Sequence, residues 1–168
     1  MTTYKLADAD LLLKNMMLLE EHAKPHYPST SKMSVTGGLK ELNSVWLARD
    51  CNPVAGTPLP KFRRDEISYL AEAAKLLNKT VDDIHYAYYA ILPPDSQIYP
   101  HTDVAPYYHS VNRYQVFFNL TEDNIVIQEG NLTESNSVVW FDASKLHAFK
   151  NLSKTDSWRF IVFDIYKD

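Results

Sequence analysis

From Asp8 to Glu21 the chain reads DADLLLKNMMLLEE, with apolar residues at near-helical spacing and acids at the start. That pattern predicts an amphipathic helix whose Leu and Met stripe packs on a sheet. A second helix is predicted over 63–80, RRDEISYLAEAAKLLNKT, because Asp65 and Glu66 lie near its start and Lys75 toward its end, as the helix dipole favours. Between Pro25 and Pro60 the chain is rich in Pro, Ser, Thr and Gly, which predicts loops around a single strand near SVWLARD. From Ile84 onward the pattern changes. IHYAYYAIL, RYQVFFNL, SVVWF, HAFKNL and RFIVFDIY are short runs rich in β-branched and aromatic residues, punctuated by turn residues such as Pro93-Pro94, Asn124 and Gly130. Helices followed by a run of strands predict an α+β chain, mainly β, whose N-terminal helices buttress one face of a β-sandwich. At 168 residues the length suits one domain. Within it, 1–80 is expected to be helical and loop-rich support and pocket wall, and 81–168 the β core that carries the chemistry.

Charge and cysteine usage narrow the function classes. The formal net charge is −4 and no basic block occurs, which argues against a phosphate-tracking nucleic-acid surface. Cys51 is the only cysteine, so no intrachain disulfide framework is possible and a reducing, cytoplasmic compartment is expected, with Cys51 as a small apolar filler. The first 22 residues lack a basic n-region and a long uncharged stretch, so neither a signal peptide nor a membrane span is expected. Sequons at Asn78, Asn119, Asn131 and Asn151 are discounted on the same ground.

The candidate chemistry lies in IYPHTDVAPYY and WFDASKLHAFKNL. His101 and Asp103 stand two apart on a locally extended segment, which points both to one side, and His147 follows 46 positions after His101. H-x-D…H can build a facial metal triad: two imidazoles and a carboxylate on one face of an octahedral ion, with the other face open, as in non-haem Fe(II) oxygenases. Arg159 opens the apolar run RFIVFDIY, twelve residues beyond His147. A buried arginine entering a strand needs an anion, and its fork suits a carboxylate such as the far end of 2-oxoglutarate. Arg113, opening RYQVFFNL, is the second candidate for that role.

Four segments, LPPDSQIYPHTD, RYQVFFNL, SVVWFDASKLHAFKNL and SWRFIVFDI, resemble in order and spacing the aspartyl/asparaginyl β-hydroxylase family of the Fe(II)/2-oxoglutarate-dependent oxygenases. The resemblance spans about Tyr86 to Tyr166, roughly half the chain. It implies a double-stranded β-helix (a jelly roll, cupin-like), Fe(II) held by His101, Asp103 and His147, and 2-oxoglutarate gripped by Arg159 with help from Arg113. It further implies O2-dependent hydroxylation of an unactivated carbon with release of succinate and CO2. The substrate class it implies is an amino acid, a peptidyl residue or another small metabolite.

Three departures stand out. Asp95 occupies a turn where glycine is usual, Gln115 stands where some relatives carry a histidine near the co-substrate, and Asp103 separates the chain from members that use two histidines alone. A carboxylate ligand also argues against a halogenase, which keeps that position for chloride. His109 is expected to be solvated, Trp140 to pack beneath the site, and the tyrosine clusters YAYY and PYYHS to line a pocket or simply to fill sheet positions. Two other classes stay open. One is a non-catalytic jelly-roll protein that binds a metal or small acid; the other is metal-assisted hydrolysis, for which Asp142 and Glu129 are the available acid or base groups.

Overall fold

The computed structural model describes residues 3–26, 42–52, 57–103, 106–128 and 133–168. Glu129, Gly130, Asn131 and the side chain of Cys51 fall outside the described residues, as does much of the Pro25–Pro60 segment. In chain order the elements are β1 (Thr3–Lys5), α1 (Ala9–Met17), β2 (Lys24–Pro25), β3 (Asn43–Asn52), β4 (Thr57–Arg63), α2 (Ala71–Leu76), β5 (Ile84–Leu92), β6 (Ser96–His101), β7 (Val111–Phe117), β8 (Asn124–Gln128), β9 (Ser137–Phe141), β10 (His147–Asn151) and β11 (Trp158–Tyr166).

Both predicted helices form but are shorter than their patterns suggest. Asp8 caps α1 by accepting a hydrogen bond from the Leu11 amide, and after Met17 the chain tightens into a 3-10 turn at Glu20–His22. The 63–80 pattern divides: Arg63 belongs to β4, Asp65–Leu70 is a 3-10 segment, and only Ala71–Leu76 is α-helical. Arg63 is held there because its guanidinium donates to the carbonyls of Val81, Asp82 and Ile84. Asn78, at φ 58°, ends the segment in the left-handed region, as a helix C-terminus favours. The one strand expected near SVWLARD is two, β3 paired antiparallel with β4. Pro58 and Pro60 suit β4 to an outlying position, where missing amide donors are tolerated.

The strands form two antiparallel sheets. The larger runs β1-β9-β7-β11-β5-β3-β2, with β4 also on β3, and the smaller runs β6-β10-β8. This is the jelly-roll arrangement expected from the resemblance. Alternation along β11 sorts the interior: Ile161, Phe163 and Ile165 join the core under α1 and α2, while Trp158, Phe160 and Val162 face the smaller sheet. Asp95, at φ 55° between β5 and β6, takes the conformation for which glycine is the usual residue. Asn151 is buried, its amide donating to the carbonyls of Leu92, Pro93 and Asp156, so its sequon is a structural tie between β10 and the flanking turns.

Candidate metal centre and its pocket

Antiparallel register brings the two halves of the motif together. His101 at the end of β6 pairs directly with His147 at the start of β10, and their ring centroids are 4.3 Å apart. Asp103, two residues on, is fixed by its own amide, which donates to the carbonyl of Ala143 at 2.9 Å. Its carboxylate lies 3.7 Å from His101 Nε2 and 3.5 Å from His147 Nε2. One ligand atom from each of the three residues falls within 4.8 Å of the others, a spacing that one ion can bridge.

The protons are arranged for metal binding. His101 Nδ1 donates to the carbonyl of Tyr99 and His147 Nδ1 to that of Lys145, each at 2.8 Å. A carbonyl can only accept, so both Nδ1 atoms carry hydrogen, and the Nε2 atoms that face Asp103 are the ones free to ligate a metal. Burial first, and then repulsion from a neighbouring imidazole, push the His101 pKa below its ordinary value. Burial opposes ionisation of Asp103, but its interactions with His147 and Arg113 overcome that and hold the carboxyl below the usual range. Two imidazoles with their Nε2 atoms turned inward and one carboxylate are a donor set that fits a divalent iron.

The face of the larger sheet that carries the cavity is built in rows, each a line of directly paired residues. The outermost row is Arg49, Tyr86, Asp164, Arg113 and Phe141, on β3, β5, β11, β7 and β9. The next is Trp46, Tyr88, Val162 and Gln115, and the third is Ser44, Ala90, Phe160 and Phe117. Below these, Phe117, Phe149, Trp158 and Phe160 close the barrel with ring centroids 5.5–5.9 Å apart. The cavity that remains, about 500 Å³ counted out to its open mouth, contains all three triad residues together with Arg113, Gln115 and Tyr108.

Arg113 is part of this wall and Arg159 is not. The Arg113 guanidinium donates through Nε and one terminal nitrogen to the fully buried Asp164, at 2.6 and 2.7 Å, while its other terminal nitrogen lies 3.5 Å from Asp103. Tyr107 donates to the same Asp164 at 2.9 Å. Arg159 alternates to the opposite face of β11, where it grips Glu20 beneath α1, and Tyr89 donates to the same carboxylate. The expectation that Arg159 reaches the co-substrate is therefore not met by the geometry: the anion that this strand-entry arginine required is a side chain of the chain itself.

Other expectations sort in the same way. His109 is exposed, as expected. Trp140 pairs with Tyr114 on the face away from the cavity, so Phe141 packs beside His147 instead, at 5.6 Å between centroids. Asp142 accepts from the amide and hydroxyl of Ser144 in a local turn. The tyrosines divide by strand parity: Tyr86 and Tyr88 line the cavity, whereas Tyr89 belongs to the helix side. Sequence reasoning missed Asp164, His26, Trp46 and Arg49. An aspartate inside RFIVFDIY, in phase with Phe160 and Val162, was the available signal for the first; the other three are assembled only by pairing between distant strands.

Fit to a co-substrate rests on the donors facing the cavity. Gln115 Oε1 accepts from Gln128 at 2.9 Å, and the buried Gln115 Nε2 has no hydrogen-bond partner among the described residues. A buried orphan donor on a cavity wall suits an acceptor-rich ligand. The triad would offer an iron three donors, and Gln115 Nε2 would be the donor open to an acceptor-rich ligand, since Arg113 is engaged by Asp164 and Asp103.

No family model and no curated protein sequence matches the chain. Among solved structures, similar folds include an oxidoreductase of the 2OG-Fe(II) oxygenase family from Burkholderia pseudomallei, 12% identical with a TM-score of 0.50 over 74% of this chain and 66% of that one. Another is SnoN, a non-heme alpha ketoglutarate dependent epimerase from nogalamycin biosynthesis, 12% identical with a TM-score of 0.60 over 99% of this chain and 77% of that one. The chain thus spans slightly less than two thirds of the first. At such identities the likeness is one of fold. Neither neighbour is described as an aspartyl/asparaginyl β-hydroxylase, so that narrower resemblance is carried by the motifs alone.

Proposed function

We propose that the chain is an Fe(II)- and 2-oxoglutarate-dependent dioxygenase that hydroxylates an unactivated carbon of an amino acid, a peptidyl residue or a small metabolite. The observation that carries this proposal is the convergence of His101, Asp103 and His147 with both Nδ1 protons committed to backbone carbonyls. The bound iron and co-substrate supply the oxidising power, with O2 consumed and 2-oxoglutarate converted to succinate and CO2. The chain's own contribution is orientation and exclusion of water. His101 and His147 present their Nε2 atoms, Asp103 presents a charge, and Arg113 pairs with the same Asp103 oxygen that faces His147. Gln115 Nε2 offers the co-substrate a donor, and the Phe117, Phe149, Phe160 and Trp158 plug dries the floor of the pocket. Tyr86, Tyr88 and Tyr108 line the cavity that would receive the substrate.

A non-catalytic binding module is the second hypothesis, and one observation favours it: Arg113 already has two donors filled by Asp164 and Arg159 is engaged elsewhere. One experiment separates the two. Metal-free protein is titrated anaerobically with Fe(II) and then 2-oxoglutarate, alongside His147→Ala and Arg159→Ala variants. A visible charge-transfer band that needs both additions, disappears in His147→Ala and persists in Arg159→Ala supports the oxygenase. Normal metal uptake without a band, and no succinate on admitting O2, supports the binding module. No metal uptake at all removes the triad. Because one neighbour is described as an epimerase, products are examined for inversion of a carbon centre as well as for hydroxylation.

A further inference from the structure

Arg49 stands at the far end of the outermost row of the wall, on the same face as Trp46 and Tyr86. It arrives there through a β-bulge: the register between β3 and β5 shifts between Trp46 and Ala48, so Leu47 and Ala48 both turn to the helix side while Trp46 and Arg49 share the face of Tyr86 and Tyr88, adjoining the cavity at His26. Bulges re-aim side chains in this way beside active sites. The Arg49 guanidinium lies 4.7 Å over the Trp46 ring, and its buried Nε has no hydrogen-bond partner among the described residues. It contrasts with Arg113, which lies between two carboxylates. Three strand spacings of roughly 4.8 Å place the backbones of these two arginines about 14 Å apart across the sheet.

The surface beside Arg49 is aromatic and uncharged. His26 stacks on Trp46 at 5.0 Å and 17°, and its ring lies 4.3 Å from that of Tyr88. Its Nδ1 is 2.8 Å from the Ser44 hydroxyl. Burial first, and then the charges of Arg113 and Arg49, push its pKa down to about 3, so it adds no positive charge of its own.

We infer that Arg49, stacked on Trp46 beside His26, is a specificity residue that receives a carboxylate of the prime substrate, whose flat or apolar body lies along Tyr86 and Tyr88. The stacked guanidinium keeps its donor edge available, and that planar fork matches a carboxylate. The co-substrate donor Gln115 lies three strands away in the neighbouring row, so the two acids do not compete. This inference rests on the oxygenase proposal and narrows its substrate class to small carboxylic acids bearing a planar or apolar group.

The test uses the Co(II)-loaded protein and two probes of one shape, 3-phenylpropionate and its neutral amide, titrated calorimetrically into wild type, Arg49→Gln and Arg49→Lys. The expected result is a carboxylate preference of about tenfold or more in wild type, a drop of about tenfold in carboxylate affinity in Arg49→Gln that levels the two probes, and partial retention in Arg49→Lys. Equal affinities in wild type, a preference that survives Arg49→Gln, or no binding of the acid overturns the inference. A change in the cobalt spectrum that accompanies Arg49-independent binding also overturns it, because the acid is then a metal ligand. Failure to take up cobalt sinks the oxygenase proposal alone, since the Arg49 dependence of binding is read from the probes.

Discussion

Two carbonyl groups, those of Tyr99 and Lys145, decide what the candidate ligands can do, because they fix the protons of His101 and His147 on Nδ1. Replacing His147 with Ala is expected to abolish iron-dependent turnover with an unchanged far-UV circular dichroism spectrum; retained turnover removes it from the ligand set. Asp164 poses a different question. It is fully buried, and its carboxylate is what allows Arg113 to be buried as a cation. Asp164→Asn should lower stability by about 3 kcal/mol in urea melts, since the buried arginine then keeps only the more distant Asp103 carboxylate as its counter-charge. The double variant Asp164→Leu with Arg113→Met should recover most of that loss, while weakening metal binding because Asp103 loses its neighbouring cation. Recovery of stability without any loss of metal affinity would separate Arg113 from the site.

At the level of elements, Arg159, Glu20 and Tyr89 fasten the 3-10 turn after α1 to the outer face of β5 and β11. Arg159→Ala is expected to lower stability by roughly 1–2 kcal/mol and to leave metal affinity unchanged. Glu20 gives the pair a pH signature. Burial would raise its pKa, but the hydrogen bonds from Arg159 and Tyr89 outweigh burial and depress it below 4.5. A carboxyl with a depressed folded-state pKa stabilises above its unfolded value and loses that contribution as pH falls through the folded one. Stability should therefore fall on acidification below about pH 4.5, and Glu20→Gln should flatten that limb of a denaturation-against-pH series. The element boundaries were legible in part. Asp8 and Asn78 mark helix ends by their side chains, whereas the loss of Arg63 to β4 depends on carbonyls near residue 82 that no local pattern reveals.

For the molecule as a whole, the two sheets and the helical cover divide the interior into a helix-side core and a barrel core, and one buried histidine of the barrel side, His26, couples folding to pH. Its folded-state pKa of about 3 lies below the ordinary 6.5, so the unfolded chain binds a proton that the folded chain refuses. Its contribution is complete above pH 6.5 and is lost progressively down to about pH 3, at no more than ~1.4 kcal/mol per pH unit. Replacing His26 with Gln should reduce the slope of stability against pH in that window, while an unchanged slope would mean that the histidine is solvated.

The sequence by itself determined the strand-rich second half, the H-x-D…H spacing and the order of the motifs, because alternation, turn residues and ligand types are local properties that survive in a linear reading. It also carried the parity that sends Phe160, Val162 and Asp164 to one face of β11 and Arg159 to the other, although that parity has meaning only once the faces are assigned. Assignment of faces was left to the tertiary structure. Pairing of β11 between β5 and β7 under α1 gave Arg159 to Glu20 and Arg113 to Asp164, and the bulge in β3 brought Arg49 and Trp46 onto the cavity side. A charged side chain can only state that it needs a partner; which partner it finds depends on contacts between residues as far apart as 20 and 159, and these exist only after the sheet has closed.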